Sequence, residues 1–409
     1  MKETRFKQTE IGLIPEDWGV SKLGEKCLIY RGGSPRPIEN YITNNADGIN
    51  WIKIGDVESD SKYIIKTKEK IKQEGVIRSR AVYAGDLILS NSMSFGRPYI
   101  LKINGCIHDG WLVIQEYIKN IDLDYLYYLL GSAYVFRQYT QMAAGSSVQN
   151  LNKEKVANVI VAIPTKKEQN KIATVLISID NLLLSLDKLI EKKRLIKQGV
   201  MQELLTGKKR LPGFTAEWIE KRLGEIGEII KESINPQLYR NQSFAEYSMP
   251  AYDLNKQPEI KYGDEMFSNR TKIDGTVLLY NKLNVRQRRI WYIENCKHNS
   301  ICSMEFLPYK VYRDYLKFFY YKLSIDSVVN YFVGISKGTS NSQKRISPND
   351  FLDFKVKYPR ELQEQKAIAT VLSSIDKEIE SLEDKKAKYE QIKLGMMQQL
   401  LTGKIRLIS

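Results

Sequence analysis

Guanidinium, amide, ammonium and hydroxyl side chains gather at five places in this chain, and none of these groups breaks bonds by itself. The first place is Arg31-Gly32-Gly33-Ser34-Pro35-Arg36. The second is Ser92-Met93-Ser94-Phe95-Gly96-Arg97 and the third Gly145-Ser146-Ser147-Val148-Gln149-Asn150. The fourth is Arg286-Gln287-Arg288-Arg289, and the fifth runs from Lys337-Gly338-Thr339-Ser340-Asn341 through Ser342-Gln343-Lys344-Arg345. Lys, Arg and small hydroxyls grip phosphate, whereas Arg, Asn, Gln, Lys and Ser reach base edges. Lys and Arg outnumber Asp and Glu by 63 to 48, a formal charge of +15, which makes a polyanion the natural partner. The candidate contacts are therefore Arg31, Ser34, Arg36, Ser92, Ser94, Arg97, Ser146, Ser147, Gln149 and Asn150 in the first half. In the second half they are Arg286, Gln287, Arg288, Arg289, Lys337, Thr339, Ser340, Asn341, Gln343, Lys344 and Arg345. A plainer reading stands beside each. Gly32 to Pro35 is equally a tight turn. Arg286 to Arg289 is equally a solvated charge run, as is Lys192-Lys193-Arg194-Lys197 on a helix. Trp51, Trp111 and Trp291 read as core.

Catalytic motifs are missing. Amino methylation needs Asn/Asp-Pro-Pro-aromatic, and Asn235-Pro236-Gln237-Leu238 lacks both the second proline and the aromatic. Gly207-Lys208 has no glycine five residues earlier, so there is no phosphate-binding loop of the nucleotide hydrolases. Asp253 with Glu259-Ile260-Lys261 matches a nuclease metal site only faintly. Cys296, His298 and Cys302 fit no zinc spacing, and the four cysteines are expected to be reduced thiols. No catalytic residue and no metal are expected. No apolar run approaches a membrane span, and the N-terminus has no signal-peptide pattern, so the default expectation is cytoplasmic.

What must position five scattered clusters is an internal repeat. Residues 168–211 begin EQNKIATVLISID and end GVMQELLTGKKRL; residues 364–407 begin EQKAIATVLSSID and end GMMQQLLTGKIRL. The offset is 196 throughout, and 25 of 44 positions are identical, polar ones included. Trp18 and Lys22-Leu23-Gly24-Glu25 answer Trp218 and Arg222-Leu223-Gly224-Glu225. Val161-Ala162-Ile163-Pro164 answers Val356-Lys357-Tyr358-Pro359. Between these flanks little sequence is shared.

Ile172, Leu176, Ile179, Leu183, Leu186 and Ile190 step by four and three. So do Ile368, Leu372, Ile375, Ile379 and Leu382, with Tyr389, Ile392, Met396 and Leu400 continuing. This is the seam of a two-helix coiled coil. Pro164 and Pro359 mark the entries, and Gly207 and Gly403 suit the left-handed residue after each helix. Short strands are expected at 49–54, 86–89 and 110–114, and helices over 124–139 and 312–331. The fold class is α+β. Its domains are 1–165 (sheet-rich), 166–208 (helix), 209–360 (sheet-rich) and 361–409 (helix). Antiparallel helices place one sheet-rich domain at each end, relate the halves by a pseudo-twofold, and bring Met1 near Ser409. Two basic domains so separated suit two half-sites on one duplex, with a ~58 Å helix setting the gap.

On these residues the chain resembles the specificity subunits of Type I restriction–modification systems over essentially its whole length. The resemblance rests on the duplicated helices, with their entry Pro164 to Gln169 and their Leu-Leu-Thr-Gly-Lys exits. It rests also on the Gly-rich turn at Arg31 to Pro35 and on the stretches Trp51 to Asp56 and Ser90 to Arg97. The second entry has one extra residue between Pro359 and Glu364, and the second domain has no clear Gly-rich turn. The resemblance implies two target-recognition domains that read double-stranded DNA at an asymmetric bipartite site. It implies two modification subunits docked on the helices, and restriction subunits beyond them. S-adenosylmethionine, ATP and Mg are then expected on those partners, which methylate adenine N6 and cleave DNA; this chain carries none of them. Two rivals are a specificity subunit serving a stand-alone methyltransferase or another phage-defence complex, and a coiled-coil scaffold that ignores DNA.

Overall fold

The computed structural model describes residues 5–57, 61–91, 95–116, 121–143, 150–338, 340 and 343–407. The chain folds as two compact units, Met1–Asp187 with Lys385–Ser409, and Lys188–Asp384. Two 39-residue helices, Lys166–Leu204 and Leu362–Leu400, each contribute residues to both. No helix among the described residues is long and apolar enough to cross a membrane.

In the first unit one sheet has the order Leu28–Arg31, Trp111–Gln115, Leu87–Ser90, Pro98–Leu101, Tyr63–Ile64. Its central strands are buried at every position except Gln115, and almost wholly apolar, because both faces are covered. Leu87, Leu89, Leu112 and Ile114 pack toward the helices, with Tyr125, Leu129 and Leu176. Ile88, Val113, Trp111 and Tyr99 pack with Ile52 and Ile107 of a second sheet. That sheet runs Ile42–Thr43, Glu69–Ile71, Ile49–Ile52, Gly105–Ile107, Arg80–Val82, and its pair Ile49–Ile52 with Gly105–Ile107 is parallel.

The second unit repeats this plan. Gly227–Ile229, Phe306–Val311, Val277–Asn281 and Ile290–Ile293 form one sheet in that order. Ser243–Tyr247 and Ser300–Ser303 are the parallel pair of the other. Leu278, Tyr280, Leu307 and Tyr309 face the helices, and Val277, Leu279, Trp291 and Phe306 face the second sheet. The interiors share topology without shared sequence, since alternating burial constrains apolarity and not identity.

Two helix expectations change. The stretch 124–139 holds two helices, Leu123–Leu130 and Ala133–Ala143, divided at Gly131 and Ser132. Asp122 caps the first, and the Ser132 hydroxyl accepts from Val135 N in the second. The stretch 312–331 holds Leu316–Leu323 and the start of Asp326–Ile335. Ile392, read as part of the stripe, is 38 % exposed, and its neighbour Lys393 makes the interhelical contact instead.

The helices pair antiparallel within each unit. In the first, Lys393 meets Asp180 and Lys386 meets Asp187, both at 2.6 Å. In the second, Lys197 meets Asp376 at 2.5 Å and Arg194 meets Glu383 at 2.6 Å. Tyr128 donates to Asp180 and Tyr321 to Asp376, so one carboxylate in each repeat joins both helices to a domain helix. Gly207 and Gly403 have φ of +74° and +70°, the left-handed closure expected of them. Met1 and Ser409 lie outside the described residues.

Candidate nucleic-acid interface

In the first domain the strand Leu28–Arg31 ends at Gly32, whose amide donates to Trp111 O. A Cβ there would lie 2.2 Å from the His108 carbonyl oxygen, so glycine is a packing requirement of this crossing. The turn that follows gathers around Asp109. Ser34 Oγ donates to Asp109 Oδ1 at 2.8 Å, Arg36 Nη2 reaches Oδ2 at 3.5 Å, and Arg31 Nε donates to the Asp109 carbonyl at 3.3 Å. Asn91, buried, donates its amide to that same carbonyl at 2.8 Å, and its own carbonyl accepts from Leu151 N. The turn at Asp109 and Gly110, between the two sheets, thus meets the Gly-rich turn and Asn91, and Asn91 in turn holds Leu151, next to the exposed Asn150 at the end of the third cluster. Arg97 lies over the Tyr99 ring at 5.4 Å. Ser92, Ser94, Ser146, Ser147 and Gln149 fall outside the described residues.

In the second domain the fifth cluster pairs with the segment just before the fourth. Asn284 N donates to Lys344 O, and Arg345 bridges to both Leu283 and Lys337. Arg286 and Gln287 are exposed. Arg288 pairs with Asp326 at 2.6 Å. Arg289 forms a fork on Asp253, at 2.8 and 2.7 Å, and is only 17 % exposed. That fork holds the Asp253 carboxyl below its usual range against a small desolvation cost, and raises the Arg289 guanidinium. Arg345 makes a fork on Glu305, at 3.2 and 3.1 Å. Lys337, Ser340 and Gln343 are exposed and Lys344 half-buried; Thr339 and Asn341 lie outside the described residues.

The faint nuclease pattern is dispersed. Asp253 is engaged by Arg289, while Lys261 pairs with Glu246 and Glu259. Cys302 is buried in the apolar core, where burial raises its thiol to about 12, and Cys296 packs against that core. Among the described residues no group of three His, Cys, Asp or Glu is arranged to hold a metal ion. Trp51, Trp111 and Trp291 are all buried.

Sequence reasoning missed the acidic members of both faces, Asp109 and Glu305, because it searched only for donors. It also missed the role of the repeated Glu-Gln. Glu168 accepts from Trp18 Nε1 and from Arg406; Glu364 accepts from Trp218 Nε1 and Arg210. Gln169 accepts from Asp122 N and donates to Pro164 O, while Gln365 accepts from Tyr315 N and donates to Pro359 O. The signal was present: these polar residues repeat at the constant offset, as do Arg210 and Arg406.

Comparison with known proteins places this geometry. The model of the Type I restriction modification DNA specificity domain matches residues 15–197 and again 215–391. A putative type I restriction enzyme MjaX specificity subunit of Methanocaldococcus jannaschii is 30 % identical, over 99 % of this chain and 97 % of that protein. The MjaVIII specificity subunit of the same organism is 26 % identical over the same shares. A chain solved in a study of complex assembly and conformational transition of the type I R-M system superposes with a TM-score of 0.63 at 16 % identity, covering 96 % of this chain and 99 % of that one. The S subunit of the Type I restriction-modification system of M. genitalium superposes at 0.55 and 16 % identity, covering 94 % and 96 %. The chain belongs to the Type I restriction modification DNA specificity domain family.

Proposed function

We propose that this chain is the DNA-recognition subunit of a Type I restriction–modification complex, and that each domain reads one half of an asymmetric bipartite site. The observation that carries this reading is one frame used twice with two unlike faces. Glu168 and Glu364, with their Trp and Arg partners, mount both domains alike. The faces they carry differ: a Gly-rich turn with Arg31, Ser34 and Arg36 in one, and Arg286 with the 337–345 loop in the other. Equal mounting with unequal faces suits a duplex whose two half-sites differ. The candidate contacts named above are assigned to these faces, phosphate first for the exposed lysines and arginines. Two modification subunits dock on the helices and supply S-adenosylmethionine chemistry at adenine N6. Restriction subunits supply ATP- and Mg-dependent cleavage. This chain supplies recognition, assembly and the spacing between half-sites.

Exchanging residues 1–165 for the corresponding domain of a relative tests this. The modified adenines in a host carrying the chimaeric system are then sequenced. Only one half of the site should change. A change in both halves at once rules out independent reading.

A further inference from the structure

An acidic residue on a surface meant for phosphate is costly, since it repels the ligand. Both faces nevertheless carry one, and in the same turn of the fold. Asp109 lies where Gly105–Ile107 turns into Trp111–Gln115; Glu305 lies where Ser300–Ser303 turns into Phe306–Val311. In both domains the residue after the neighbouring central strand donates its amide to this turn: Asn91 N to Gly110 O, and Lys282 N to Glu305 O.

Each carboxylate is surrounded by donors from the face. Asp109 takes Ser34 Oγ and Arg36 Nη2, has His108 Nε2 at 3.6 Å, and its carbonyl takes Arg31 and Asn91. Glu305 takes the Arg345 fork, which pins the end of the late loop against Lys337. Asp109 is 37 % exposed and Glu305 26 %, so both also remain open to solvent. Partial burial works to raise the Asp109 carboxyl, but Ser34, His108 and Arg36 outweigh it and keep it ionised. Arginine otherwise loses much rotamer freedom when it takes up a base-reading geometry.

Resting on the DNA-reading function proposed above, we propose that Asp109 and Glu305 are paired positioning residues, each fixing the basic side chains of its own face so that its half-site is read selectively. Each carboxylate gives up some general attraction for DNA and gains an ordered set of donors. Removing it should therefore raise affinity for unrelated duplex while lowering discrimination. A merely structural residue would lower both.

The test uses the chain in complex with its modification partner, wild type and with D109N or E305Q. Binding is measured to the cognate duplex, to duplexes altered in one half-site, and to unrelated duplex, across salt. D109N should cut discrimination at the first half-site roughly tenfold, the scale of one good base contact. It should leave the second half-site unchanged and bind unrelated duplex more tightly than wild type. E305Q should do the converse. Full discrimination retained in both variants, or loss spread equally over both half-sites, overturns the inference. If D109N does not fold, E305Q decides alone. A wild-type complex that fails to prefer any duplex contradicts the proposed function instead.

Discussion

Arg406 and Glu168, 238 residues apart in the chain, form a fork with Nε on Oε1 at 2.7 Å and Nη2 on Oε2 at 2.9 Å. Arg406 is 8 % and Glu168 1 % exposed, and Asp17 completes the guanidinium's shell at 2.7 and 2.9 Å. The repeat places Arg210 on Glu364 in the same way, at 2.5 and 2.6 Å. Replacing Arg406 with Met leaves a buried carboxylate with only the Trp18 indole and a main-chain amide as donors. We predict a loss of about 3 kcal/mol in urea unfolding of the first unit. Arg210→Met should cost the second unit less, because Arg210 is 26 % exposed and water can reach the vacated site. Equal, negligible losses would mean that neither pair locks its helix to its domain.

The buried glutamines offer a cleaner measurement, being neutral. Gln169→Leu strands the Asp122 amide and the Pro164 carbonyl together. An orphaned buried group costs roughly 1–3 kcal/mol. The expected loss is about 2 kcal/mol, with Gln365→Leu similar through Tyr315 and Pro359. Thermal unfolding of the two variants checks this, and a wild-type midpoint in both would refute it.

Lys322 gives the second unit a pH dependence of its own. It is 7 % exposed, and its Nζ donates to Leu205 O at 2.6 Å, beyond the end of the first long helix. Burial, with a smaller push from Lys357, drives its ammonium down to about 8 from 10.5. Below pH 8 both folded and unfolded chains hold the proton, and the full cost of burying the charge is present. Between pH 8 and 10.5 the folded chain has released a proton that the unfolded chain keeps, so stability rises with pH. Subtracting Lys322→Met cancels other titrations. The wild-type-minus-variant stability should climb by at most about 3 kcal/mol across that window. A flat difference would place Lys322 in water.

The long helices were legible in the sequence because a helix seam repeats visibly over 39 residues and a constant offset exposes the repeat. The domain topology was not. Leu87, Ile88 and Leu89 alternate between two cores, a fact invisible in a run that is apolar throughout. Nor could composition show that Arg288 and Arg289 are already paired, since Asp326 and Asp253 lie 38 and 36 residues away. The first and fifth clusters were single stretches of chain; that they reach Asp109 and Glu305 depended on turns that carry the chain from one sheet to the other.

That pairing separates two neighbouring arginines. Arg286 is exposed, and we predict that Arg286→Ala weakens duplex binding severalfold, lowers its salt dependence by about one phosphate contact, and leaves unfolding unchanged. Arg289 is held against Asp253 and flanks Tyr252. Arg289→Ala should lower the unfolding midpoint. Filter binding and calorimetry on both variants check the split; the opposite pattern would exchange their roles.

The final prediction concerns spacing. If the antiparallel helices set the distance between half-sites, that distance should follow their length. An insertion into one helix alone must bulge, because the opposite helix stays continuous and pairs such as Lys393–Asp180 and Lys197–Asp376 fix the register. The matched change is four residues after Leu186 together with four at the facing position, beside Lys386, which pairs with Asp187. Four residues add ~6 Å and turn the helix about 40° beyond one full turn. At ~3.4 Å per base pair, 6 Å is close to two base pairs. The modified sites of the double-insertion protein, read by sequencing methylated adenines, should keep both half-sites and lengthen the unread spacer by about two. The single insertion should shift it less cleanly. Half-sites retained with the original spacer would show that the partner subunits, and not these helices, set the interval.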